Sequence, residues 1–146
     1  MIRILDLYHG KDRVIASFLL ETKEGPVLIE TGPESAYSQL VEGLKGFGYA
    51  PEDVRHVFVT HIHLDHAGAA WRFAGMGARV YVEERGAPHL LDPSRLLASA
   101  SRIYGDLLKT LWGEVRSIPK EQLQVVKDGD RVRIGEVELE ALAPGA

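Results

Sequence analysis

The sequence feature that most constrains the fold is the stretch at residues 60–68, whose residues are Thr-His-Ile-His-Leu-Asp-His-Ala-Gly. It follows the apolar run Val57-Phe58-Val59, so a buried strand is expected to end where the polar cluster begins. The stretch holds three of the six histidines of the chain and one aspartate. Imidazoles and carboxylates bind zinc and similar divalent ions, and the chain has no cysteine to compete. The stretch therefore predicts a metal site at a strand end.

The spacing divides the candidate ligands into two pairs. If the strand continues through position 63, His61 and His63 point to the same face, because alternate residues of a strand do so. Asp65 and His66 follow where residues 67–71 can begin a helix, and so they point elsewhere. We therefore predict that His61 and His63 share one ion and that Asp65 and His66 can serve a second.

The pattern His-x-His-x-Asp-His, followed by a small residue and glycine, resembles the first metal motif of the metallo-β-lactamase superfamily. The longer form from Thr60 to Gly68 looks most like its hydroxyacylglutathione hydrolase (glyoxalase II) branch. Flavo-diiron proteins of the superfamily usually carry Glu where His63 stands, which argues against electron transfer. Upstream, Glu30-Thr31-Gly32 resembles a strand-terminal Asp-Thr-Gly that lies beneath the metal loop in this superfamily. Glu30 replaces the aspartate, so its carboxylate is displaced by one methylene.

The resemblance implies an α/β (α+β) fold, an αββα metallo-β-lactamase-like sandwich of which this chain is a part. It also implies metal-dependent hydrolysis of an ester, thioester, lactone or amide by a metal-activated water. The expected cofactor is a divalent metal, two zinc ions, with iron or manganese as alternatives. His61 and His63 would bind the first ion, Asp65 and His66 the second, and Asp65 would also act in catalysis.

Two other functions stay open. The same motif resembles that of the persulfide dioxygenases, in which a single iron reacts with dioxygen. A truncated, non-catalytic metal-binding module is the third possibility. Metal analysis of protein expressed without added metal discriminates among them: two zinc or mixed ions favour hydrolysis, one iron favours oxygenation, and no metal favours the module.

Composition excludes several partners. A chain of 146 residues with 45% hydrophobic and 26% charged residues is expected to form one soluble domain over residues 1–146. The net charge is -4 and no basic run is present, so nucleic acid is not an expected partner. No apolar run reaches membrane-spanning length, and we expect a cytoplasmic protein that acts on a small molecule and can form a homo-oligomer.

Hydrophobic periodicity and turn residues predict an antiparallel β start followed by alternating helices and strands. The predicted strands are Ile2–Tyr8, Val14–Thr22, Val27–Ile29, Arg55–Thr60, Arg79–Val82, Leu123–Val126, Val132–Ile134 and Val137–Leu142. The predicted helices are Glu34–Phe47 and, after the metal motif, Ala67–Ala74. Asp128-Gly129-Asp130 between apolar residues predicts a hairpin turn.

Residues 83–118 are predicted to be a mostly helical insertion. Asp92 would cap a helix that has Pro93 at its first position. A wide apolar stripe between Leu96 and Trp112 indicates either core packing or a lid or subunit contact, and position alone does not choose.

The remaining histidines and the serines are weaker candidates. His56 and His89 are expected to be surface or packing residues, whereas His9 follows the first strand and could touch substrate at the rim of the site. Ser17 and Ser35 have no paired base in the sequence, so a serine-nucleophile hydrolase is not supported.

The end of the chain departs from the family pattern. Ala143-Pro144-Gly145-Ala146 stands where the family has Thr-Pro-Gly-His, with alanine in place of the histidine that is the third ligand of the first ion. The bridging aspartate and the last histidine of the pattern have no counterparts. We therefore expect this chain to be the amino-terminal half of a longer enzyme, inactive and prone to oligomerise when isolated. The intact mass of the native protein tests this expectation.

Overall fold

The structure is a computed structural model that describes residues 2–6, 16–60 and 67–141. Within these residues, six strands form one sheet in chain order from β1 to β6. The strands are β1 (Ile2–Asp6), β2 (Ala16–Thr22), β3 (Gly25–Ile29), β4 (His56–Phe58), β5 (Arg79–Glu83) and β6 (Leu123–Val126).

The sheet is antiparallel at one side and parallel at the other. β1, β2 and β3 pair antiparallel, which confirms the predicted β start. β3, β4, β5 and β6 pair parallel, so helical connections link them. The carboxyl ends of these four strands therefore meet at one edge of the sheet.

Helices occupy the connections between the parallel strands. They are α1 (Tyr37–Gly46), α2 (Ala70–Gly75), α3 (Ala87–Leu91), α4 (Ser94–Tyr104) and α5 (Leu108–Trp112). Single 3-10 turns lie at Glu34–Ala36, Pro51–Asp53, Gly105–Leu107 and Lys120–Gln122. The helix predicted to begin at Glu34 thus has a 3-10 first turn, because Pro33 before it and the bond from the Ala36 amide to the Pro33 carbonyl tighten its start.

Successive strand residues face two different cores, as the two-residue period of a strand requires. In β2, Leu19 belongs to the core beneath the helices, whereas Leu20 belongs to the core on the opposite face. On the helical side, Leu40 and Leu44 of α1 and Phe73 of α2 are fully buried against the sheet. Burying one such side chain stabilises a fold by roughly 1.5–3 kcal/mol.

A two-stranded sheet covers part of the other face. β7 (Arg131–Ile134) and β8 (Val137–Glu140) pair antiparallel, and Ile134 is buried against Leu20 and Val27. The chain therefore forms the α/β sandwich of helices, large sheet and second sheet that the sequence predicted.

The β2–β3 turn and the β7–β8 turn clasp each other. The Lys23 amide donates to Oε1 of Glu136 at 2.8 Å, and the Gly135 amide donates to Oε2 of Glu24. Each turn thus supplies both a donor and an acceptor, and together they tie the two sheets to each other.

The prediction of a hairpin at Asp128-Gly129-Asp130 was wrong. That turn connects β6 in the large sheet with β7 in the small one, and the hairpin turn lies at Gly135-Glu136. Asp130 closes the earlier turn by accepting the Lys127 amide at 2.8 Å, and the Gly129 amide and Asp130 carbonyl bond Ala141, which follows β8.

The segment after β5 is helical over most of residues 87–112, and its apolar stripe is only partly buried. Helices occupy residues 87–112, and residues 113–119 are not helical. α4 begins at Ser94, with Pro93 at the N-cap position and the Asp92 carboxylate accepting the Ser94 amide at 3.1 Å. Ile103 and Leu107 of the apolar stripe are 75% and 61% exposed. The stripe is therefore a half-buried layer.

None of the helices in the described part of the chain has the length and apolar character needed to cross a membrane.

Candidate metal centre

β3 and β4 end side by side at the carboxyl edge of the parallel strands. Ile29 and Phe58 are register partners, and the backbone amide of Glu30 donates to the Phe58 carbonyl at 2.8 Å. The tripeptide Glu30-Thr31-Gly32 leaves the sheet from β3, and Val59-Thr60 leaves it from β4. In open α/β sheets, this edge is where ligands bind.

Glu30 anchors the chain just before residues 61–66, which we call the candidate metal segment. Its side chain is buried, and Oε1 accepts the Thr60 amide at 2.9 Å and also the Thr60 hydroxyl. The Glu30 carbonyl accepts the hydroxyl of buried Ser17 at 2.5 Å. Its φ of 67° lies in the left-handed region, which costs roughly 1–2 kcal/mol for a residue other than glycine. Strain of this kind persists where surrounding contacts fix the residue, as they do here.

Thr31 and Gly32 anchor the chain just after the same segment. The Ala69 amide donates to Oγ1 of Thr31 at 3.2 Å and to the Gly32 carbonyl at 3.1 Å. Thr31 is fully buried, and residues 67–70 are buried as well. The tripeptide 30–32 therefore holds both flanks of the candidate metal segment, Thr60 through Glu30 and Ala69 through Thr31 and Gly32.

The predicted ligands His61, His63, Asp65 and His66 lie outside the described residues, as do His9 and the chain end at 142–146. The pairing of His61 with His63 on one face assumed that β4 continues through position 63. The described residues up to Thr60 do not support this assumption. β4 ends at Phe58, and Thr60 is a bend in which the Glu30 carboxylate captures its amide. Strand alternation therefore no longer supports the pairing of His61 with His63, which stays a prediction from the motif.

The donor set of the segment fits a divalent metal. Across residues 2–6, 16–60 and 67–141, no group of three or more His, Asp or Glu side chains could hold an ion. The three imidazoles and one carboxylate of the segment are the ligand types that zinc takes. The Glu30 carboxylate, by contrast, accepts a hydrogen bond from the Thr60 amide. A carboxylate bonded in this way can orient the residues that carry the metal ligands without being a ligand itself.

A small crevice adjoins the carboxyl-terminal flank of the segment. It encloses about 10 Å³, room for about one water molecule. Ala67 and Gly68 line it together with Trp71, His89 and Leu90. Among the described residues, this crevice is too small to hold a substrate.

The two histidines that were expected to be surface or packing residues, His56 and His89, are neither fully buried nor fully exposed. His56 is half-buried, with Nδ1 at 2.9 Å from the hydroxyl of Tyr81, and burial lowers the pKa of its imidazole. His89 is half-buried beside the crevice. The structural role of Ser17 was missed in the sequence, because a contact with a carbonyl on the next strand leaves no local pattern.

A sequence model of the metallo-beta-lactamase superfamily matches residues 10–143. An N-acyl homoserine lactonase from Bacillus sp is 38% identical over 85 residues, covering 42% of this chain and 34% of the lactonase. Metallo-beta-lactamase domain-containing protein 1 from Mus musculus is 48% identical over 50 residues, covering 34% of this chain and 19% of that protein.

Solved structures share the fold. BJP-1, a subclass B3 metallo-beta-lactamase of Bradyrhizobium japonicum, matches with a TM-score of 0.67 at 25% identity, covering 88% of this chain and 45% of that chain. A metallo-beta-lactamase family protein from Thermus thermophilus matches with a TM-score of 0.74 at 21% identity, covering 97% of this chain and 50% of that chain. This chain spans half or less of the length of each of these proteins.

Proposed function

Because this chain belongs to the metallo-beta-lactamase superfamily, we propose that the protein is a metal-dependent hydrolase of an ester, thioester, lactone or amide. The observation that carries the proposal is the anchoring of both flanks of the candidate metal segment, Thr60 and Ala69, by the tripeptide 30–32. Flanks that are already held lower the cost of ordering the residues between them when an ion binds.

Among the four bond types, the proposal favours the lactone. The Bacillus relatives, with 38% identity, are N-acyl homoserine lactonases. The motif resemblance to the glyoxalase II branch favours a thioester instead, and no relative described above belongs to that branch. A cyclic ester is therefore the first substrate class to test.

The residues of the segment have distinct proposed roles. His61 and His63 would hold one divalent ion, and Asp65 and His66 would help hold a second, with zinc as the expected metal. Such an ion supplies polarisation of the scissile carbonyl and acidification of water when it is bound. Asp65 would orient the attacking water and accept its proton. Glu30 keeps the start of the segment in place through Thr60.

The test compares metal content and hydrolysis. We expect the chain to take up zinc, and the double variant His61→Ala/His63→Ala to lose uptake, whereas His89→Ala outside the segment retains it. In the natural protein, Asp65→Asn is expected to lower turnover of a homoserine lactone about 10²-fold or more. The occupancy of the first ion should change far less, because the two histidines remain.

Three results would contradict the proposal. Unchanged zinc binding in the double histidine variant, measured by isothermal titration, would remove the metal site from this segment. Equal turnover by Asp65→Asn and its parent would remove Asp65 from the chemistry. A single iron with activity on a persulfide, and none on lactone, thioester or β-lactam, would replace hydrolysis by oxygenation.

A further inference from the structure

A groove separate from the small crevice lies between the start of α1 and the end of α5. Its volume is about 480 Å³, within the range of about 300–1,000 Å³ that small-molecule sites occupy, and it opens to solvent. The side chains that give it its chemistry are Glu34, Tyr37, Ser38, Arg72, Lys109 and Glu114. We call it the α1–α5 groove.

The walls of the groove are firmly joined. The Ser35 hydroxyl donates to the Leu111 carbonyl at 2.6 Å, which ties the 3-10 turn before α1 to α5. Trp71 donates from Nε1 to the Glu114 carbonyl at 3.0 Å, which ties α2 to the chain after α5. The groove is therefore formed before any ligand arrives.

Arg72 presents a guanidinium that is already held in place. Its Cζ lies 4.9 Å from the ring centre of Tyr37 and 4.7 Å from that of Trp71. Its Nη2 lies 3.4 Å from Oε1 of Glu34, a long contact, and 38% of its side chain is exposed. Because the aromatic contacts restrict the side chain, little rotamer freedom remains to be lost when an anion binds.

The charges of the groove favour an anion. Glu34 already contacts Arg72, and Glu114 pairs with Arg116 at 3.0 Å. Lys109 is exposed and has no ion-pair partner in the described part of the chain. Burial raises the pKa of the Tyr37 hydroxyl, so this side chain adds no negative charge.

We propose that the α1–α5 groove binds the carboxylate or phosphate group of a small molecule, held by the guanidinium of Arg72 and the ammonium of Lys109. Because Nε of Arg72 is buried, the guanidinium would donate to either group from Nη1 and Nη2, the latter at the expense of its long contact with Glu34, and Lys109 adds a flexible point charge. This site is distinct from the candidate metal segment and does not depend on the proposed hydrolysis.

The test uses the whole chain after treatment with a chelator, in low salt. Inorganic phosphate and citrate are titrated separately, and binding is followed by the amide NMR shifts of Ser35, Ser38 and Lys109. We expect saturable shifts with a Kd on the order of 1 mM for at least one of the two anions. Phosphate binding alone assigns a phosphate ligand, and citrate binding alone assigns a carboxylate ligand.

Variants locate the site. Lys109→Gln, a change at an exposed position that leaves the core intact, is expected to weaken binding about five-fold, the loss of one exposed charge contact. Arg72→Lys keeps the charge but loses the planar fork, and we expect a loss of about ten-fold or more. Lys45→Gln, at the other end of α1, and His61→Ala/His63→Ala are matched controls that should retain the parent affinity.

Several results overturn the proposal. The absence of saturable shifts with both anions up to about 20 mM would show that the groove holds no oxyanion site. If Lys109→Gln and Lys45→Gln weakened anion binding equally, the loss of affinity would reflect the net charge of the protein and not a contact in the groove. Loss of anion binding in the double histidine variant would show that the anion binds at the metal segment. Tighter binding of choline than of either anion would show that the groove prefers cations.

Discussion

Glu30 is the residue on which the candidate metal centre depends most. It has a left-handed backbone conformation, which residues other than glycine rarely adopt, and its carboxylate accepts a hydrogen bond from the Thr60 amide. The geometry matters because Thr60 directly precedes the first predicted ligand, His61. A small change at Glu30 should therefore reach the metal through the backbone.

We predict that Glu30→Gln weakens both folding and metal binding. The amide cannot accept two hydrogen bonds from Thr60 as strongly as the carboxylate, and hydrogen bonds to charged groups are worth about 1.5–3 kcal/mol. Zinc affinity is expected to fall about 10- to 100-fold, as it does when groups that orient metal ligands are replaced. Urea unfolding and zinc titration measure the two effects.

Glu42→Gln on the exposed side of α1 serves as the control for loss of one negative charge. If Glu30→Gln lowered stability but left zinc affinity at the parent value, the carboxylate would hold the fold and play no part in ordering the ligands.

At the residue scale, the sequence could single out candidate ligands by type and spacing, because the cluster of imidazoles has few alternative explanations, and these ligands stay a prediction. It also pointed to Glu30-Thr31-Gly32. It could not predict that Glu30 bonds the Thr60 amide, because that contact joins residues 30 positions apart and depends on the parallel register of β3 and β4.

The chain just after α5 passes very close to the start of α1. Gly113 has a φ of 81°, and a Cβ built there would lie 2.5 Å from the Ser35 backbone nitrogen and 2.9 Å from the Glu34 carbonyl carbon. Both atoms belong to the backbone and cannot rotate away. Only glycine allows these two elements to meet in this way.

We predict that Gly113→Ala destabilises the protein by about 2–4 kcal/mol, combining left-handed strain with a backbone clash. The fluorescence of the neighbouring Trp112 should report the displaced α5. Gly105→Ala is the matched control, because Gly105 also has a positive φ, 54°, but its Cβ would meet nothing within 4 Å. That variant should show the cost of the backbone strain alone, roughly 1–3 kcal/mol, and so should lose less stability than Gly113→Ala. Equal losses in the two urea titrations would refute the close approach.

At the element scale, the order of helices and strands was predictable because apolar periodicity changes clearly along the chain. The end of β4 was not predictable, because Val59 is as apolar as Val57 and Phe58 before it. The chain leaves the sheet where the Thr60 amide donates to the Glu30 carboxylate, and this contact has no local sequence pattern. The Asp128-Gly129 turn misled because its sequence suits a hairpin, whereas β6 had a stronger partner in β5, with which it pairs from Val80 to Glu83.

At the scale of the whole molecule, the parallel sheet carries a half-buried imidazole, His56, at the end opposite to its carboxyl edge. His56 begins β4 and contacts Tyr81 of β5, and Tyr81 stacks on Phe58 at 4.2 Å. Burial is the largest cause of the lowered pKa of His56, with Arg79 and Arg55 adding to the effect and Glu24 opposing it.

We predict that His56 makes the protein less stable at mildly acidic pH. Because its pKa is lower in the folded state, the unfolded chain binds the proton first, so stability present above pH 6.5 is lost as the pH falls towards the folded pKa. With chelator present, the free energy of unfolding should therefore fall less between pH 8 and pH 5.5 in His56→Gln than in the parent. Parallel stability curves for the two proteins would exclude His56 as a source of the loss.

The clasp between the β2–β3 and β7–β8 turns limits where this chain can be cut or extended by protein engineering. Short exposed turns are normally the safest places for an inserted tag or for new termini in a circular permutant. Here, Lys23-Glu24 and Gly135-Glu136 hold each other through backbone amides, so an insertion in either turn would release both. The Asp128-Gly129 turn is no freer, because the Gly129 amide donates to the Ala141 carbonyl at 2.7 Å and the Ala141 amide donates to the Asp130 carbonyl at 2.8 Å. An insertion there would release the chain that follows β8, so none of these three turns is a safe place for a reporter or a split point.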